Sequence, residues 1–92
     1  MDFIHESNRI YLNNEDGKAI AEVTFPDISN NEVNIDHTFV DGSLRGQGMA
    51  AKLMKALVDD LNKKNKKAKA TCSYAVEWFE KHPEHSNVLV EK

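Results

Sequence analysis

Hydrophobic periodicity changes abruptly near the middle of this chain, and a segment carrying two glycines sits at the change. From Glu32 to Val40 polar and apolar residues alternate, with Val33, Ile35, His37 and Phe39 on one face and Asn34, Asp36 and Thr38 on the other. That is the period of a half-buried β-strand. From Ala50 onward the spacing is helical: Ala50, Leu53, Met54, Leu57, Val58 and Leu61 form one apolar stripe, and Lys52, Lys55, Asp59 and Asn62 occupy the rest. Between the two lies Arg45-Gly46-Gln47-Gly48-Met49-Ala50. Glycines at such a junction let the backbone turn sharply and keep side chains away from its N–H groups. The first N–H groups of the helix and the positive end of its dipole then point at open space, which makes the junction an anion site. Arg45 adds a fixed positive charge, and a phosphate or pyrophosphate is the ligand this arrangement suits.

The flanking segments complete a mixed pattern. Arg9–Leu12 and Lys18–Phe25 read as strands separated by Asn13-Asn14-Glu15-Asp16-Gly17, a strong turn sequence. Short connections of this kind favour an antiparallel meander. The helix closes on Lys63-Lys64-Asn65-Lys66-Lys67, cations at the negative end of its dipole. Ala68–Cys72 predicts a further short strand, Ser73 an N-cap, and Tyr74 to about His82 a second helix stopped by Pro83. Asn87–Val90 is expected as a last short strand. A strand, crossover helix and strand in one sheet are parallel neighbours. The expectation is therefore an α/β (α+β) fold in the order β-β-β-α-β-α, with a mixed, mostly antiparallel sheet and two main helices.

Ninety-two residues suit a single domain spanning 1–92. A chain of this size hides only roughly 60–65% of its unfolded surface, so a ligand belongs in a surface cleft. The net charge of −3 gives no electrostatic case for nucleic acid, which asks for a basic stripe. One cysteine excludes an internal disulfide, the N-terminus lacks a signal-peptide pattern, and no apolar run reaches membrane-spanning length. A cytoplasmic location with no membrane partner is expected, as a monomer or weak homodimer.

Arg45-x-x-Gly48-x-Ala50 resembles the (Gln/Arg)-x-x-Gly-x-(Gly/Ala) signature of the GNAT superfamily of N-acetyltransferases, with a strand before it and an amphipathic helix after it. Members often carry a second stretch similar to Asn-x-x-Ala-x-x-(Leu)-Tyr-Glu-Lys. Here Cys72-Ser73-Tyr74-Ala75-Val76-Glu77-Trp78-Phe79-Glu80-Lys81 keeps Ala75, Glu80 and Lys81, with Cys72 at the asparagine position and Phe79 at the tyrosine position. Chain size and element order resemble a small, stand-alone GNAT-like subgroup. The resemblance implies an acetyl-CoA (coenzyme A) site. Arg45, Gly46, Gln47, Gly48, Met49 and Ala50 would cradle the pyrophosphate, and the backbone of Phe39 and Val40 would pair with pantetheine. The thioester would lie where the strands Glu32–Val40 and Ala68–Cys72 splay apart. The long helical segment that usually follows the family's first strand is missing, and Phe79 has no proton to give a departing thiolate.

Three residues are candidates for chemistry. Cys72, between a strand and a helix start, has a position that favours thiolate, and exchange of one thioester for another is near thermoneutral. Tyr74 could supply the proton that Phe79 cannot. His37, on the strand beside the thioester, carries an imidazole that could take the proton of an amine acceptor; the competing reading is a hydrogen-bonded core histidine on the Val33/Ile35/Phe39 face. His82-Pro83-Glu84-His85 lacks zinc-site spacing, so no metal is expected. The glycines also fit a relaxed dinucleotide fingerprint as Gly46-x-Gly48-x-x-Ala51, but no acidic residue closes the next strand. The expected function is N-acetyl transfer from acetyl-CoA to an unidentified amine, on a small molecule or a protein. The alternative is a CoA or acyl-CoA binding module without catalysis.

Overall fold

The computed structural model describes residues 3–44, 46 and 48–90. Among these residues, seven strands and two α-helices follow the order β1 (Ile4–Glu6), β2 (Arg9–Asn13), β3 (Ala19–Thr24), β4 (Asp27–Ser29), β5 (Glu32–Ile35), β6 (His37–Val40), α1 (Met49–Lys64), β7 (Lys67–Ala70) and α2 (Ser73–Lys81). Short 3₁₀ segments occupy Gly42–Leu44 and Pro83–Val88. The strands form two sheets. One is antiparallel in the order β1-β2-β3-β6; the other, β4-β5-β7, pairs β5 and β7 in parallel. The expected mixed architecture with two main helices is present, and β1 and β4 add short edge strands to it.

The strand expected over Glu32–Val40 is two strands in different sheets. Asp36 N–H donates to Thr24 O (3.3 Å), while the register partner of Thr24 is His37. Two consecutive residues thus face one across the ladder, which is the arrangement of a β-bulge and re-aims every side chain that follows. Before the bulge Val33 and Ile35 are buried; after it Thr38 and Val40 turn inward, while His37 and Phe39 are exposed. The expectation of Val33, Ile35, His37 and Phe39 on one face is therefore corrected, and His37 is not a core histidine.

Helix α1 packs its apolar stripe on the strands: Leu53, Met54, Leu57, Val58 and Leu61 are fully buried. Asn65 ends it in the left-handed conformation (φ 57°), its N–H bonded to Asn62 O and that of Lys66 to Leu61 O. Helix α2 contributes Ala75, Trp78 and Phe79 to the same core. Its N-cap is Cys72 rather than Ser73, which is the first helical residue. The expected final strand reduces to one parallel bridge, Leu89 to Ala68, because the 3₁₀ segment from Pro83 runs as far as Val88. No helix among the described residues is long and apolar enough to cross a membrane.

Candidate functional site

The split between the sheets creates the site. At the end of β5 the Ile35 carbonyl accepts N–H bonds from both Thr71 and Cys72 (3.1 Å each), tying the end of β7 to β5. Beyond Ile35 the chain leaves that sheet, and β6 pairs only with β3. Asp41 N–H donates to Ile20 O (2.8 Å). Because paired and unpaired residues alternate along an antiparallel ladder, Phe39 and His37 share that orientation toward β3. Thr38 and Val40 therefore turn their backbone groups to the open edge. Of the two backbone partners expected for a pantetheine arm, Val40 is suitably directed and Phe39 is not.

The open edge leads to a cleft of about 360 Å³ lined by Thr38, Val40, Leu44, Gly46, Gly48, Met49, Ala50, Ala51 and Tyr74. Its floor is held by the 3₁₀ turn after β6. Asp41 accepts from Ser43 N–H (3.0 Å) and Ser43 Oγ (2.5 Å), and Leu44 N–H donates to Asp41 O, which presses Leu44 into the core. Gly46 and Gly48 follow at φ 83° and 70°. Gly48 is the N-cap of α1, has no side chain to cap it, and gives its carbonyl to Lys52 N–H (3.0 Å). The first N–H groups of a sixteen-residue helix thus open on the cleft wall where Met49 and Ala50 lie. Arg45 and Gln47, both expected in this loop, lie outside the described residues.

Cys72 and Tyr74 stand at the start of α2. The Thr38 hydroxyl is 3.6 Å from Cys72 Sγ. Burial pushes the thiol pKa up, but the Ala75 N–H, the Thr38 hydroxyl, and the N–H groups of Tyr74 and Thr38 outweigh it, and the net shift is downward. No cap hydrogen bond is closed at the sulfur, so the Ala75 and Tyr74 amides act on it as oriented dipoles. Tyr74, half-buried on the cleft, has its pKa raised by burial and then by the Glu77 carboxylate, which keeps the phenol protonated. The structure therefore brings Gly46, Gly48, Met49, Ala50, Val40 and Tyr74 to one cleft, with Cys72 beside it through Thr38. His37 and Phe39 lie on the opposite sheet face. Thr38 was missed by the sequence reading. No local signal marks it, because Thr38 stands at a polar position of an alternation that runs on through Phe39.

The GCN5-related N-acetyl-transferase family model matches residues 9–88. The chain belongs to this family. Acetyl transfer is the family's chemistry and acetyl-CoA its usual co-substrate. A GCN5-like candidate N-acetyltransferase from Staphylococcus aureus is 36% identical, with a TM-score of 0.81 over 99% of this chain and 89% of that one. More distant members share the fold. Tetrahymena GCN5 has a TM-score of 0.66 at 14% identity, over 91% of this chain and 60% of that one. The ribosomal-protein-S18-alanine N-acetyltransferase of Escherichia coli has a TM-score of 0.63 at 19% identity, over 86% of this chain and 50% of that one. No curated protein matches the chain. Within this GCN5-related frame the departure at Phe79 is structural: its ring is 4% exposed and meets Trp78 edge-on at 5.1 Å, so it is core. Trp78 in turn stacks on His82 (4.4 Å) and His85 (5.4 Å), which gives those histidines a packing role at the end of α2.

Proposed function

We propose that this chain binds acetyl-CoA along the β6–α1 cleft and transfers its acetyl group to an amine. The observation that carries the reading is the continuity of the site: left-handed glycines and a helix start at one end, an open strand edge along the wall, and Tyr74 with the nearby Cys72 thiol at the other. The pyrophosphate sits on the Gly46–Ala50 loop, with Arg45 and Gln47 completing it, and pantetheine runs along Thr38 and Val40. The thioester then reaches the start of α2. His37 faces away, so water takes the proton from the acceptor ammonium. The free amine attacks the carbonyl carbon, the carbon–sulfur bond breaks, the departing CoA thiolate takes the Tyr74 proton, and the surplus proton of the new amide nitrogen passes through water to restore the phenol. In the covalent variant the Cys72 thiolate attacks first, and acetyl-Cys72 passes the group to the amine.

A second reading has its own support: Phe79 is buried where the family's usual proton donor stands, and His37 is turned outward, so the cleft would hold CoA or acyl-CoA without transferring anything. Incubation with acetyl-CoA followed by intact-mass analysis and an amine-acetylation assay separates the two. Acetyl-Cys72 or an acetylated amine supports transfer. Binding with neither product, across small-molecule and peptide amines, supports the passive module.

A further inference from the structure

Thr38 is turned into the split by the bulge at Asp36, where its hydroxyl oxygen accepts from the Cys72 thiol across 3.6 Å. Sulfur accepts at longer distances than oxygen, and its anion accepts far better than its thiol. The hydroxyl is fixed in place because β6 is laddered to β3 through Val23 opposite Thr38 and Glu22 opposite Phe39. The thiol is fixed because the Thr71 and Cys72 amides both bond the Ile35 carbonyl. Thr38 and Cys72 thus face each other across the seam between the two sheets, each held by a different sheet.

We propose that Thr38 is a positioning residue: once the Cys72 thiol loses its proton the contact reverses, and the Thr38 hydroxyl donates to Sγ, stabilising the thiolate and aiming it along the open edge of β6. The assignment rests on the acetyl-CoA reading above for its purpose, and on the Thr38–Cys72 contact alone for its chemistry. In the covalent variant, the sulfur lone pair forms a bond to the acetyl carbon, the CoA carbon–sulfur bond breaks, and the electron pair leaves on the CoA sulfur. That sulfur takes up the proton the Cys72 thiol lost to water. Once acetylated, Cys72 sulfur is a weak acceptor, so the Thr38 hydroxyl is released from it.

The test measures alkylation of Cys72 by iodoacetamide from pH 5 to 10 in the full chain without CoA. Thr38→Val and Thr38→Ala are each expected to slow alkylation at pH 7 by about three- to tenfold, the effect of losing a hydrogen bond to a charged group. Both should also move the pH midpoint upward. Thr38→Ser restores the wild-type profile. Circular dichroism identifies a variant that unfolds, and the serine variant then decides by itself: a profile shifted as far as in the alanine variant overturns the proposal, as do unchanged rates in folded valine or alanine variants. Acetyl-CoA incubation is scored separately. A Cys72 that never gains acetyl removes the covalent route, while the alkylation profiles still decide whether Thr38 controls the thiol.

Discussion

Glycine is required at position 48 because its backbone is left-handed, not because space is short: a Cβ there meets nothing within 4 Å. Gly48→Ala should therefore cost about 1–2 kcal/mol in conformation, roughly 4–8 °C of melting temperature per kcal/mol, and leave acetyl-CoA binding measurable by calorimetry. Gly48→Glu places a carboxylate where the pyrophosphate belongs and should abolish binding; unchanged affinity would contradict the loop assignment. The two candidate catalytic groups carry opposite pH signatures. Cys72, lowered by its amide and hydroxyl neighbours against the burial that raises it, should gain reactivity as pH rises through a midpoint below the ordinary thiol range. Tyr74, raised by burial and Glu77, should keep its proton above the ordinary tyrosine range, so a rate limited by it falls only at strongly alkaline pH. Tyr74→Phe should lower amine acetylation about 10²-fold or more if the phenol is the acid, with little change in acetyl-CoA affinity. A Cys72→Ala variant with undiminished turnover would leave only direct attack.

At the scale of elements, β6 carries the binding edge, and its register is testable. Val40→Pro removes one N–H at the open edge while leaving the bonds of Phe39 and Asp41 to β3 in place, since proline is tolerated on an edge. Acetyl-CoA affinity should fall about tenfold, the worth of roughly one hydrogen bond, whereas Phe39→Ala, on the outer face, should leave affinity unchanged. The helices and the meander were legible in the sequence because periodicity and turn chemistry are local: Leu53, Leu57 and Leu61 announce their face, and Asn14 with Gly17 announces the turn. The glycine loop was legible for the same reason. The bulge was not, because it depends on Asp36 meeting Thr24 across the sheet, a contact that no local pattern encodes. One misplaced phase then carried His37 and Phe39 to the wrong face and hid Thr38. The N-cap shifted from Ser73 to Cys72 for a related reason, since the Ile35 carbonyl fixes both Thr71 and Cys72 from another strand.

The whole molecule is two sheets sharing one core beneath α1 and α2, and the cleft follows the seam where the sheets part. Leu57→Ala, which empties a fully buried position on α1, should cost about 2–5 kcal/mol, a large share of the roughly 5–15 kcal/mol a folded domain possesses. A ligand bridging β6 and the start of α1 would stabilise the seam: acetyl-CoA at a hundred times its dissociation constant should add about 2.7 kcal/mol. The most direct test of the central claim is a backbone NMR titration of the chain with acetyl-CoA. The expected result is saturable shifts at Gly46, Gly48, Met49, Thr38 and Val40, extending to Cys72 and Tyr74 and sparing the outer-face residue Phe39 relative to its neighbours. Shifts absent at millimolar acetyl-CoA, or saturating elsewhere on the surface, would contradict it.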